Sequence, residues 1–411
     1  MSIRWGLGIA GFTLACVGAA APATVFAQGA CTGGGRISKQ VAKPMAAAQD
    51  AMKSKRWQEV LNKVREAQNT SGAPNTAFDQ FYQHEFSSYA YTQLKQYPEA
   101  ARELEAGLNS PCMPAAKKAE RYNSLTGVYS ALRNNAKIIE YGNLALKAGP
   151  NADTPIYVAQ AYYQTGDNKN AIAVLKQTIA SAEQRGQAPK ENWLQLLLTA
   201  CQKINDDACV AQQFEKLVVH YPKNEYWQNL MVSLTRQHAT DHQTINIMRL
   251  ANQVDVLKDP ERFKEYAQLA IEQGVPCEAQ TVLEGAFAKK VFTEKRDQDV
   301  NTRLLETAKQ KCTASKAAIA QQEAAAKTAT TGDEEVKLGA MYISFGDYAK
   351  AAEAIQRGMQ KGKLTDPDEA PILLGIAQFK ANNKAAAAQS FRQVKNDKTY
   401  ARIAKLWLLK T

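Results

Sequence analysis

The sequence predicts an all-α solenoid of about ten helical hairpins closed by a C-terminal capping helix. Three observations carry this. The stretch LGAMYISFGDYAKAAEAIQRGMQKG, residues 338–362, reads as a complete helix-turn-helix unit. Leu338, Met341 and Tyr342 share one helical face, Gly346-Asp347 makes a turn, and Tyr348, Ala351, Ala352 and Ile355 form the facing stripe of a second helix. The unit recurs: places equivalent to Tyr342 fall at Ala51, Tyr91, Tyr129, Tyr162, Ala200, Leu234, Ala270, Ala308 and Gln378, at spacings of 33 to 40 residues. Nine residues after each of these markers stand Val60, Ala100, Ile138, Ala171, Cys209, Gln243, Ala279, Ala317, Ala351 and Ala387. Alanine dominates this set, which suits a close helix crossing. One such hairpin cannot bury both apolar faces, so it stacks on its neighbours.

The chain begins with a different element. Gly6, Gly8 and Gly11 in WGLGIAG match the spacing of a dinucleotide-binding loop. That loop needs a buried strand before it, and only four residues precede Trp5, so the nucleotide reading fails. Arg4, the apolar run from Trp5 to Gly18 and the small-residue site Val25-Phe26-Ala27 instead predict a cleaved export signal over residues 1–27. Thr13-Leu14-Ala15-Cys16 resembles a lipoprotein signal, with Thr13 where such signals carry Leu. Pro22 and the many Gly and Ala residues disfavour a spanning anchor, so no transmembrane segment is expected after cleavage. Residues 28–37, with GACTGGGR, read as a flexible lead-in.

Residues 38–395 are assigned to the solenoid. Here the sequence resembles the tetratricopeptide repeat family, through Ala90-Tyr91 with Tyr97, Ala100 and Leu104, Tyr129 with Ala145 and Pro150, and Tyr162 with Gly166, Ala171 and Leu175. Gly274 with Ala279, Leu283 and Ala286, Leu338-Gly339 with Tyr342, Gly346, Tyr348 and Ala351, and Leu374-Gly375 with Ala387 and Phe391 extend the resemblance. It implies a right-handed superhelix whose first helices line a concave, partner-binding groove. Departures fall near Leu234, where Gln243 replaces the small residue, and near Ala308, where the second helix is the Ala-rich KAAIAQQEAAAKTA. Residues 396–411 end the chain with Tyr400, Ile403, Leu406 and Leu409 on one stripe. This stripe reads as a cap on the last repeat, and Trp407 beside it leaves a partner-binding helix open as the alternative.

Helical spacing selects the groove residues. The face opposite the markers collects Glu85, Thr92 and Gln93, then Asn123, then Gln160, Tyr163 and Gln164, then Gln228 and Arg236, then Lys264 and Gln268. This candidate partner-binding surface is polar and amide-rich. Nine residues before the markers stand Glu120, Asp153, Glu191, Glu225, Glu261, Asp299, Asp333 and Glu369. Acids there complement the dipoles of the first helices; the other reading is an acidic groove edge for a basic partner.

Composition narrows the function classes. The 411 residues are 45% hydrophobic and 22% charged, enough apolar material for a large core, with a net charge of +11. The cations are scattered without aromatic interleaving, so nucleic acid is not an expected partner. Six of the seven cysteines remain after signal removal, an even number in an exported chain, and no paired CxxC spacing suggests a metal site. Cys201 and Cys209 flank one turn; Cys277 and Cys312 meet on antiparallel helices. Cys31 and Cys112 remain as the third pair. The histidines are His84, His220, His238 and His242, and HATDH lacks the glutamate a zinc-peptidase helix needs and falls at an expected turn. No catalytic residue, cofactor or metal ligand is expected.

The sequence therefore reads as a non-catalytic interaction scaffold, periplasmic or secreted, that binds an envelope protein or peptide. In general plan it resembles the tetratricopeptide accessory proteins of TonB-type energised uptake and of outer-membrane assembly. A peptidoglycan-associated or cell-wall-active protein stays open beside that reading, on the positive charge and the amide-rich groove.

Overall fold

The computed structural model describes residues 31, 35–70, 75–235 and 239–411. The export signal lies outside the described residues, as do most of 28–37 and the candidate Arg236. The described chain is all-α, with twenty-one α-helices in two compact units, Met1–Pro189 and Lys190–Thr411.

The first unit holds α1 (Lys39–Lys53), α2 (Trp57–Gln68), α3 (Ala77–Gln93), α4 (Tyr97–Leu108), α5 (Lys118–Ala131), α6 (Asn135–Ala148), α7 (Thr154–Gln164) and α8 (Asn168–Gln184). Odd and even helices pair as successive hairpins, each packing on the next. The second unit holds α9 (Glu191–Lys203), α10 (Asp207–His220), α11 (Asn224–Thr235), α12 (Asp241–Gln253), α13 (Pro260–Glu272), α14 (Pro276–Ala288), α15 (Lys295–Ala317) and α16 (Ile319–Thr328). It ends with α17 (Asp333–Phe345), α18 (Tyr348–Lys361), α19 (Glu369–Lys380), α20 (Lys384–Phe391) and α21 (Lys398–Leu408).

One turn repeats through both units. The amide five residues after the marker donates to the marker's carbonyl: Arg56 to Ala51, Gln96 to Tyr91, Asn134 to Tyr129, Asp167 to Tyr162, Val275 to Ala270, Asp347 to Tyr342 and Asn383 to Gln378, all at 2.8–3.0 Å. This satisfies an orphan carbonyl of the first helix and requires a left-handed residue just before the donor. Gly166, Gly274 and Gly346 supply it at φ +84°, +74° and +83°, whereas Lys55, Lys95, Arg133 and Asn382 adopt it without that freedom. In α9 the accepting carbonyl is that of Cys201, one residue past the expected Ala200, with Asn205 left-handed. The donor residue then caps the second helix: Asn134, Asp167, Asp206, Asp347 and Asn383 each accept a backbone N–H from three residues on.

At the crossings Ala100, Ala171, Ala279, Ala351 and Ala387 are fully buried. Two expected crossings differ. Gln243 belongs to the capping box that starts α12, with Thr240 and Gln243 exchanging hydrogen bonds. Ala317 is exposed at the end of α15. A single residue, Ala318 with φ −85° and ψ −1°, separates α15 from α16, too little chain to reverse direction. The expected eighth hairpin is thus a long, bent helical segment. CTASKAAIA contains no turn former, and alanine propagates helix.

Beyond this segment the second unit folds back on itself. α17 packs on α14 and α19 on α12, while α21 packs on α12 as well as on α19 and α20. The last helix therefore does more than cover the final repeat. Trp407, fully buried, stacks on Phe391 at 5.7 Å and meets Phe379 edge-on at 5.5 Å, and Arg402 pairs with Glu215 of α10.

Disulfides join Cys31 to Cys112, Cys201 to Cys209 and Cys277 to Cys312, with Cα–Cα distances of 4.9, 5.9 and 4.6 Å. The second spans the α9–α10 turn and the third ties α14 to α15. Among the described residues no helix is long and apolar enough to cross a membrane.

Candidate functional site

In the first unit the first helices lie beside one another, α1 against α3 and α5 against α7. The selected side chains on them divide into two groups. Glu85 and Asn123 are engaged within the fold. Glu85 pairs with Arg121 of α5, whose side chain is 7% exposed. Asn123 donates to the carbonyls of Ala119 and Gly149 at 2.8 and 2.9 Å and accepts from Asn151 N and the Thr154 hydroxyl, so it fastens the loop that leads into α7. Thr92 turns its hydroxyl back to the Ser88 carbonyl at 2.7 Å.

The second group faces outward. Gln93 and Gln164 are exposed, and Gln160 and Tyr163 are half-buried. Together with Ile156, also half-buried, Gln160 and Tyr163 follow i, i+4, i+7 spacing along α7. Ile156 belongs to this face although polarity alone does not select it.

In the second unit Gln228 and Gln268 are exposed, and Lys264 bonds Glu261 one turn away at 3.1 Å. Gln228 borders a cavity of about 270 Å³ whose wall includes Met231, Val232, Ile247, Met248 and Leu257. Its wall is shared by α11, α12 and the loop that leads into α13.

The acids before the markers sit at helix starts: Glu120, Glu191, Glu225, Glu261, Asp333 and Glu369 in first turns and Asp153 at the N-cap, with Asp299 one turn into α15. That placement suits the helix dipole. Several also bolt one repeat to the next. Asp333 accepts from the Thr365 amide at 2.9 Å and its hydroxyl at 3.1 Å. Glu191 takes Lys223 and Tyr226 from the following hairpin, and those bonds hold its carboxyl below the usual range.

Glu369 does something different. It is buried and accepts from His242 Nδ1 at 2.9 Å and Asn246 Nδ2 at 3.1 Å, both on α12. At the other end of α19, Lys380 donates to Gln253 Oε1 at 2.6 Å. Both contacts, His242 with Glu369 and Gln253 with Lys380, join residues 127 apart, so α12 and α19 run parallel. Between them Ile372 and Ile376, on the same face as Glu369 and Lys380, are buried. Behind α12, Arg249 forks onto Glu278 at 2.8 and 2.7 Å, and the Tyr266 hydroxyl adds a bond at 2.6 Å. Burial pushes the Glu278 carboxyl up, yet the Arg249 guanidinium and the Tyr266 hydroxyl outweigh it and hold the pKa below its usual value. His242 thus lies in the first turn of α12 with a carboxylate partner, not in a solvated turn; His238 lies outside the described residues. No three His, Cys, Asp or Glu side chains among the described residues are grouped to hold a metal ion.

Hairpins in series, a left-handed turn at a fixed place and alanine at the crossings define the architecture. The fold is TPR-like. Solved structures similar to it include the TPR2AB domain of yeast Sti1 in complex with pHSP90, at 14% identity and a TM-score of 0.36, covering 66% of this chain and 98% of that one. The structure of Naa15/Naa10 bound to HypK-THB is similar at 13% identity and a TM-score of 0.37, covering 90% of this chain and 63% of that one. The pentatricopeptide repeat protein PPR10 from maize is similar at 15% identity and a TM-score of 0.31, covering 90% and 52%. No protein-family profile and no curated protein sequence matches the chain. The TPR-like array of this chain differs from a regular one in its bent α15–α16 segment and in the self-contact of α12 with α19.

Proposed function

We propose that this protein is a non-catalytic interaction scaffold that holds a partner protein on the first-helix faces of its repeats, in an oxidising compartment outside the cytoplasm. The observation that carries the reading is the outward face of α7, where Ile156, Gln160, Tyr163 and Gln164 keep exposed surface while the rest of the helix is spent on packing. A half-buried aromatic with adaptable amides around it is the composition of an interface. Three disulfides and the signal-like first 27 residues favour export, and the periplasm is the compartment we assign. Within it, an adaptor role in an envelope assembly, such as a TonB-type uptake system, fits the outward first-helix faces of the repeats.

Photo-crosslinking in cells from Gln93, Tyr163 and Gln268, with exposed Lys176 on α8 as control, tests this. One envelope protein captured from the first-helix positions and not from Lys176 is the expected result. Binding to cell-wall sacculi with no protein captured would replace the adaptor by a glycan- or stem-peptide-binding protein.

A further inference from the structure

The second unit already contains one filled first-helix face. On α19 that face is Glu369, Ile372, Ile376 and Lys380, with Phe379 at its edge against Trp407 of α21, and α12 lies along it, parallel, with imidazole and amide donors on Glu369 and a side-chain amide acceptor at Lys380. The same pattern occurs once more. Asp153-Thr154-Pro155-Ile156 opens α7 as Glu369-Ala370-Pro371-Ile372 opens α19, and the turns that follow place Gln160, Tyr163 and Gln164 where α19 has Ile376, Phe379 and Lys380. The acid, the proline at the helix start, the isoleucine and the aromatic coincide. Burial does not: Ile372 and Ile376 are buried, whereas Ile156 and Gln160 keep exposed surface.

We propose that the α7 face docks a helix of a partner protein, parallel to α7 and patterned like α12. The proposal rests on the scaffold reading above and specifies its ligand. Charge complementarity sets the direction. Asp153 and, on the neighbouring α5, exposed Glu120 make the N-terminal end of this face acidic. A parallel helix brings to that end its own N-terminal N–H groups and positive dipole end, as the first turn of α12 is brought to Glu369. Donors at positions i and i+4 of the partner helix, the places of His242 and Asn246, meet the carboxylate. An apolar residue between them and the far end covers Ile156. A side-chain amide eleven residues on meets Gln164, as Gln253 meets Lys380.

The test uses the whole disulfide-bonded protein and a fluorescein-labelled peptide of residues 240–254, which carries the α12 sequence. Fluorescence anisotropy is followed against the unchanged protein, Ile156→Glu, Gln160→Arg and Lys176→Glu, with a scrambled peptide of the same composition as reference. The expected result is saturable binding of the α12 peptide alone, weakened about tenfold or more by Ile156→Glu and by Gln160→Arg and unchanged by Lys176→Glu. A peptide in which His242 is replaced by Glu is expected to bind more weakly, by repulsion from Asp153. Gln160→Arg replaces a surface residue and keeps the test sound if Ile156→Glu fails to fold. No saturable binding, or binding indifferent to both α7 substitutions, overturns the helix-docking inference. Crosslinking of a partner from Tyr163 under those conditions would leave the scaffold reading standing and reject only the helical ligand. Absence of both would reject the two together.

Discussion

Glu369 and His242 stand 127 residues apart in sequence and 2.9 Å apart in space. The hydrogen bond that His242 donates to Glu369 raises its pKa above 6.5 against the opposing effect of burial; Asp366 adds to the rise and Arg249 opposes it. A pKa raised in the folded state means that the stabilisation is complete below about pH 6.5 and is lost as pH rises through the elevated folded value. The imidazole is 54% exposed, so solvent screening keeps the effect under about 1 kcal/mol. Thermal melts of His242→Gln against the unchanged protein are expected to differ more at pH 5.5 than at pH 8.5. Equal differences at both values would show that the pair contributes nothing through charge.

The Arg249–Glu278 fork is buried on both sides, with side chains 7% and 11% exposed. Removing one partner strands the other charge, so Glu278→Leu is expected to cost about 3–5 kcal/mol in urea denaturation. The double variant Arg249→Met/Glu278→Leu should recover most of that loss, because an apolar pair avoids the desolvation of two charges. A double variant as unstable as the single one would mean that Asn246 and Tyr266, which bond Arg249 and Glu278, depend on the charges for their positions.

Lys95 in the α3–α4 turn is left-handed at φ +59°, at the place that Gly346 takes in the α17–α18 turn at φ +83°. A side chain in that conformation costs about 1–2 kcal/mol, partly offset by the lower chain entropy of a non-glycine residue when unfolded. Lys95→Gly is therefore expected to stabilise the protein by about 0.5–1 kcal/mol and Gly346→Ala to destabilise it by about 1–2 kcal/mol. Calorimetric melts of the two variants, moving in opposite directions, check the assignment of the turn.

The disulfides close segments of 8, 35 and 81 residues. Loop entropy alone assigns them about 2.5, 4 and 4.5 kcal/mol, in that order. Replacing Cys277 and Cys312 by alanine should consequently lower the denaturation midpoint more than replacing Cys201 and Cys209. The reverse order would show that the short bridge acts on the folded state, for example by holding Asp206 in place to cap α10.

Local features of the fold were readable because local physics produces them. The hairpin at 338–362 announces itself through Gly346-Asp347, and the cap that Asp347 provides for α18 lies within a few residues of that turn. The register slip at Ala200 and Cys201 is a one-residue ambiguity that helical periodicity resolves poorly where two small apolar residues stand side by side. Ala317 misled because alanine serves a close crossing and a continuous helix equally well, and only the missing turn former distinguishes them. Asn123 looked like a groove residue since spacing reports a face and not the loop that a long side chain reaches. The seating of α12 on α19 was out of reach from periodicity, which couples residues a few turns apart, whereas the contacts of Glu369 join it to residues more than 120 positions away.

The fold-back of the second unit gives the two units different folding kinetics. In the first unit helices pack on those adjacent or next-but-one in the chain, so they can dock repeat by repeat with little loop-closure entropy at each step, and the Cys31–Cys112 bond then closes 81 residues. In the second, the contacts of Glu369 with His242 and of Arg402 with Glu215 join residues 127 and 187 positions apart. The first waits for α19 and the second for the last helix, α21. During synthesis the α12 face stays uncovered until α19 and α21 have been made, and a chain truncated before α19 would keep it uncovered for good.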